Sequence, residues 1–207
     1  MDNAVALVQA YLRINGYFTV AEFPILEGSH GQFHEVTDLD MLAFRFPGAG
    51  HLAGTRMATE ASFGVDRELH VPSGQADMII GEVKEGAPKL NAAARKPAVL
   101  AAALSRFGCC SLAEAPEIVD NLARQGRASV PHGHSARMVV FAPSADSMDT
   151  PAYRLISLGH IVRFLEDHLR QHWDVFGHTQ FKDPALGLLA TLEKARRGHQ
   201  NDARPAL

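Results

Sequence analysis

Asp77-Met78-Ile79-Ile80-Gly81-Glu82-Val83-Lys84 is the stretch whose reading decides the fold. Its isoleucine-rich lead-in reads as a short buried strand, closed by Glu85-Gly86. Side chains alternate along a strand, so Glu82 and Lys84 share one face and Val83 takes the other. An acid and an amine ending a buried strand are unfavourable away from water unless paired or bound to an ion. The simplest explanation is a strand-end ion pair at the surface, because Glu-x-Lys is a short pattern that recurs by chance. What surrounds it in the chain must raise or lower that reading.

Upstream, Val36 to Phe46 predicts a second strand. Asp38, Asp40, Leu42 and Phe44 fall on one face, and Leu39, Met41 and Ala43 on the other. Asp38 reads as a turn cap, whereas Asp40 opens an otherwise apolar face and is a candidate site residue. Residues 4–15 carry apolar side chains at helical spacing and end before Gly16. Tyr17 to Ile25 reads as a strand closing near Pro24, and 27–35 as a polar loop. Pro47 to Gly74 has little periodicity and reads as a long connection or insertion, with a short element near Arg67–Val71. Loops of such length are uncommon unless functional. His51 and His70, within it, read as surface residues.

Downstream, Gly86 to Asn91 forms a turn, and Asn91 is expected to cap a helix over Ala92–Phe107. Lys89, Arg95 and Lys96 cluster at its start. Cations there oppose the helix dipole, which points to an anionic partner, with a solvated face as the plainer reading. A helix over 113–124, a buried strand Ala136–Ala142 and a short strand Tyr153–Ser157 follow. Ser157 then caps a helix over 158–173, and Pro184 opens a last helix over 184–196. The tail from 198 to 207 is polar.

The bulk numbers fit one globular unit: 207 residues, 46% of them hydrophobic, with a net charge of −3. That charge does not announce a nucleic-acid binder, nor does it exclude a local basic patch. The start lacks a signal-peptide pattern and no run has membrane-spanning length, so a cytoplasmic protein is expected. The only cysteines, Cys109 and Cys110, are adjacent and read as reduced thiols.

Taken together, Asp40 in Thr37-Asp38-Leu39-Asp40-Met41-Leu42-Ala43 and Glu82-Val83-Lys84 after Ile79-Ile80-Gly81 resemble the PD-(D/E)xK nuclease superfamily. Leu12-Arg13-Ile14-Asn15-Gly16-Tyr17 is similar to the helix-to-strand entry of its restriction-endonuclease-like and Holliday-junction-resolvase-like branches. The similarity covers roughly residues 4–107 and extends to the strand at 136–142. It implies an α/β sandwich with a central mixed β-sheet flanked by helices. The nuclease-like core would span 1–145 with 47–74 inserted, and extra C-terminal helices would span 146–197. The chain departs from the pattern in two places. The 42 residues from Asp40 to Glu82 make a long gap, and the first helix offers Gln9 where many relatives place a glutamate.

The chemistry that the resemblance implies is phosphodiester hydrolysis of nucleic acid, with DNA the expected substrate. Asp40, Glu82 and the Val83 carbonyl would hold Mg²⁺ or Mn²⁺, which prefer oxygen ligands. Lys84 would orient a water, accept its proton if its pKa is depressed, or stabilise developing negative charge. Lys89, Arg95 and Lys96 would meet the substrate's phosphates. A homodimer or a targeting protein would supply what a mildly acidic chain lacks. Two other readings stay open. One is the same fold without cleavage activity, working as a binding or scaffold module. The other is a zinc hydrolase, motivated by eleven histidines including His132-Gly133-His134, and by Cys109-Cys110, although the cysteine spacing fits no familiar zinc motif. His160, His168, His172 and His178 read as solvated residues on or after the long helix.

Overall fold

The computed structural model describes residues 2–29, 31–52, 61–86, 91–131, 133–143 and 152–202. Helix α1 (Asn3–Ile14) is opened by the Asp2 carboxylate, which accepts a hydrogen bond from the Ala4 N–H. It leads into the hairpin β1 (Phe18–Ser29) and β2 (Gln32–Arg45). The expected polar loop at 27–35 is instead the hairpin's end, paired as far as Ser29 with Gln32. Pro24 does not close β1, because β1 is an edge strand and a proline there removes no central ladder bond. Asp38 consequently lies within β2, exposed and opposite Pro24, and caps no turn.

Residues 46–75 are an insertion between two strands that pair directly. They include a two-stranded ribbon, β3 (His51–Leu52) with β4 (Ala61–Ser62), and a 3₁₀ turn at Arg67–Leu69 where a short element was expected. β5 (Ala76–Val83) then enters the sheet beside β2. Helix α2 spans Pro97–Arg106, starting later than the sequence predicts. The Asn91 side chain accepts from the Ala93 N–H and so closes a turn, while Pro97, which lacks an N–H, begins the helix. α3 (Ala115–Gln125) is followed by β6 (Arg127–Val130), a strand the sequence reading missed, and by β7 (His134–Ala142). β8 (Arg154–Ser157) feeds α4 (Leu158–Gln171), whose first turn is capped by Ser157 as expected. α5 (Trp173–Phe176) and α6 (Pro184–Asp202) complete the described chain. α6 runs past the point where a polar tail was expected, as far as Asp202.

The sheet is mixed, in the order β1-β2-β5-β7-β6, with β8 pairing the far half of β7. β5, β7 and β8 are parallel, and β2 runs antiparallel to β5. Helices cover both faces. Val99, Leu100, Leu104, Ile118 and Leu122 of α2 and α3 pack on Leu42, Met78, Ile80 and Val140. Val8, Tyr11 and Leu12 of α1, with Ile161 and Leu165 of α4, pack on Met41, Ile79, Val139 and Phe141. Alternation along β5 therefore directs Met78 and Ile80 to one helical layer and Ile79 and Val83 to the other. Each such fully buried aliphatic side chain contributes about 1.5–3 kcal/mol. No helix among the described residues is long and apolar enough to cross a membrane.

Candidate functional site

The β2–β5 register creates the site. Met41 lies opposite Gly81, so the next position along the ladder sets Asp40 against Glu82. A Cβ on Gly81 would sit 3.1 Å from Met41 Cβ and 3.1 Å from Phe141 Cε2, so a bare glycine suits this crowded point. The Val83 N–H donates to Asp40 Oδ2 at 2.8 Å, fixing that carboxylate's orientation. The Lys84 N–H donates to the Phe141 carbonyl at 2.8 Å, which extends the β5–β7 ladder and keeps the Lys84 side chain on the Glu82 face. Lys84 Nζ then lies 2.6 Å from Glu82 Oε2 and 3.6 Å from Asp40 Oδ2. The cluster stands at the carboxyl end of parallel β5, where open α/β sheets present their ligand crevices.

Glu82 is 1% exposed and neither oxygen accepts a hydrogen bond of normal geometry. The ammonium touches Oε2 off the hydrogen-bonding direction, as an ion contact. Burial pushes the Glu82 pKa up, and Asp40 adds to this, while Lys84 and the Asn91 amide oppose it without cancelling it. For Lys84, burial acts to lower the pKa, but Glu82 and Asp40 together outweigh it and the net shift is upward. The depressed lysine pKa that a proton acceptor needs is therefore not found. The upward shift favours the ammonium form of Lys84 beside the two carboxylates.

The donor set suits a hard divalent cation: two carboxylates, one of them buried, its Oε1 without a hydrogen-bond partner and its Oε2 held by the Lys84 ammonium. Among the described residues no group of three His, Cys, Asp or Glu side chains gathers to hold a metal ion. α1 places Gln9 in the core and no carboxylate there. An ion held here would complete its shell with backbone oxygen and water, as Mg²⁺ commonly does.

Two residues brought level with the site or against it escaped the sequence reading. Glu22 occupies the β1 position opposite Asp40, between the pairs Ala21–Met41 and Phe23–Leu39, and has a left-handed backbone with φ 52°. Acidic residues thus stand at one level of three adjacent strands, a placement that depends on the hairpin register. Asn91 returns to the site from beyond the strand end, its amide acting on Glu82 and its side chain donating to Thr37 Oγ1 at 3.4 Å. Arg95 and Lys96 are exposed in the turn before α2, and Lys89 lies outside the described residues.

Other candidates have structural roles. Asp77 is fully buried but accepts from Arg137 through both oxygens, from Tyr17 and from Ser135. Asp66 accepts from the Tyr11 hydroxyl at 2.6 Å and pairs with His160 Nε2 at 2.6 Å, tying the insertion to α1 and α4. His160 therefore has a partner, although it stays partly exposed. His70 ends the 3₁₀ turn beside Arg154, and His51 belongs to β3. Both cysteines are buried; burial first, then Cys110, pushes the Cys109 thiol up to about 11, and it donates to Met78 Sδ. Neither is then a ready thiolate for zinc. His134 is buried with its ring 5.6 Å from that of Phe44, and His132 lies outside the described residues. His168 is also buried, contrary to the expectation of a solvated face, whereas His178 is exposed.

Searches of protein-family models, curated proteins and solved structures find no match to this chain.

Proposed function

We propose that this protein is a metal-dependent phosphodiesterase of the restriction-endonuclease-like type that cuts nucleic acid, DNA being the first substrate to test. The observation that carries this reading is the convergence of Asp40, Glu82 and Lys84 at one strand end across a long insertion, with Lys84 Nζ within 3.6 Å of both acids. A mixed sheet with helices on both faces is compatible with that fold type. When bound, Mg²⁺ or Mn²⁺ would polarise the phosphate and acidify a water. Asp40, oriented by the Val83 N–H, would contribute one carboxylate and Glu82 the other, with the Val83 carbonyl as a third oxygen. Lys84, freed from the acids by the arriving cation, would stabilise negative charge developing on the phosphoryl oxygens. Arg95 and Lys96, with Lys89, would meet the flanking phosphates.

A second reading is a nuclease-fold module that binds without cutting. Gln9 in place of an acid and the two-carboxylate ligand set favour it. The deciding experiment is a cleavage screen over labelled single-stranded, duplex, flap and junction substrates with Mg²⁺, Mn²⁺ or EDTA. Wild type, Asp40→Asn and Glu82→Gln are compared. Metal-dependent cutting lost in both variants supports the enzyme. Tight binding without cutting supports the module. Cutting that survives both substitutions refutes the assigned site.

A further inference from the structure

The second histidine-bearing face of the molecule lies far along the chain from the acidic cluster. α4 continues helically into His172, whose N–H donates to the His168 carbonyl at 3.1 Å. That bond sets His168 and His172 one turn apart on the same face. Their ring centroids are 4.6 Å apart. Phe63 packs against both, at 5.1 Å and 4.6 Å, and Phe176 packs against His168 at 5.6 Å. These aromatic contacts hold the two imidazoles in fixed orientations. Both histidines line a cleft of about 370 Å³ with Asp167 and Gln171.

His168 is 5% exposed, and its Nε2 is shielded from water without a hydrogen-bonding partner among the described residues. Its ring neighbours Phe63, Phe164 and Phe176 offer no acceptor or donor. Leaving a buried polar nitrogen unpaired costs about 1–3 kcal/mol, so something should satisfy it. Two histidines four apart on a helix are a recurrent pair for borderline transition metals. Two imidazoles bound to one tetrahedral ion at about 2.1 Å have ring centroids roughly 5 Å apart, close to what is observed.

We propose that His168 and His172 form a two-imidazole site for a borderline divalent cation of the Zn²⁺ or Ni²⁺ class, its remaining positions filled by water. The site is separate from the Asp40–Glu82 pair, whose oxygen ligands select harder ions. The ion would reach His172 at the cleft and satisfy the buried Nε2 of His168 behind it.

The test is titration of the full-length chain with Zn²⁺, followed by long-range ¹H–¹⁵N spectra of the imidazoles and by calorimetry. Wild type, Glu82→Gln, His172→Ala and His168→Gln are compared, with circular dichroism to check folding. The expected result is that the first equivalent of Zn²⁺ shifts the His168 and His172 ring nitrogens. Glu82→Gln should leave that event unchanged, which separates it from the carboxylate site. His172→Ala, a partly exposed position that should fold normally, should weaken it roughly tenfold or more. Zinc that shifts other histidines and spares these two rings would overturn the proposal. So would an unshifted spectrum at a tenfold excess of zinc, or undiminished affinity in folded His172→Ala. If His168→Gln fails to fold, the His172→Ala result decides.

Discussion

Lys84→Ala removes the ammonium beside the two acids, 2.6 Å from Glu82 Oε2 and 3.6 Å from Asp40 Oδ2. Glu82 is then a carboxylate at 1% exposure facing a second acid. Losing one partner of a buried pair costs about 3–5 kcal/mol if the other stays charged. Two effects reduce that figure here. Lys84 keeps 28% of its side chain in water, which screens the pair. Glu82 can also escape by protonation, at about 1.4 kcal/mol for each unit between its pKa and the pH. We expect a loss of about 2–3 kcal/mol at pH 8 and a smaller loss at pH 5. Because the folded-state pKa of Glu82 is raised, the folded chain holds this proton more readily than the unfolded one. The penalty for burying its charge is fully present above the folded pKa and fades as pH falls through it towards the ordinary carboxylate range. Without Lys84 the folded pKa climbs further, and the window moves to higher pH. The raised pKa of Lys84 keeps its own contribution intact until alkaline pH, outside that window. Urea unfolding followed by circular dichroism at pH 5 and pH 8, in EDTA, measures the difference. A deficit equal at both pH values, or no deficit, would refute the assigned coupling between Lys84 and Glu82.

Glu82→Gln should leave stability within about 1 kcal/mol of wild type, because it removes a buried charge that accepts no normal hydrogen bond; calorimetry should show Mg²⁺ and Mn²⁺ binding lost. Lys84→Ala should retain metal affinity while cleavage by gel falls roughly a hundredfold, as for loss of a group that stabilises the transition-state charge; equal cutting would remove Lys84 from the mechanism. Arg137→Met strips Asp77, fully buried, of its two-pronged partner, and thermal unfolding should report a loss of about 3–5 kcal/mol. Replacing Lys89, Arg95 and Lys96 together by alanine should weaken nucleic-acid binding and flatten its dependence on salt, with little change in stability. Unaltered binding across that salt series would assign the cluster to ordinary surface.

The strand at 77–84 was legible because its signal is local: an apolar run, β-branched residues and a closing glycine. The same holds for α1, for the Ser157 cap and for the strand ending at Ala142, each of which depends on neighbours within a turn or a pleat. Period-two alternation also correctly put Glu82 and Lys84 on one face, as their 2.6 Å contact requires. Local rules erred where a tertiary neighbour changed the terms. Pro24 continues a strand because the strand is at an edge, and Asn91 turns the chain without starting α2 because Pro97 does that.

What only the tertiary structure decided is register and burial. Asp40 meets Glu82 because β2 and β5 pair across residues 46–75, a long-range register that strand composition does not report. A shift of one residue would have turned Asp40 to the opposite face. Glu22 reaches the same level through the hairpin register, which strand composition does not report. The direction of the Lys84 shift was equally beyond the sequence, since burial and two carboxylates compete and their distances determine which prevails. His168 and its neighbours on α4 look alike as letters. The packing of Phe63 and Phe176 from other segments is what buries one imidazole and leaves its nitrogen without a partner.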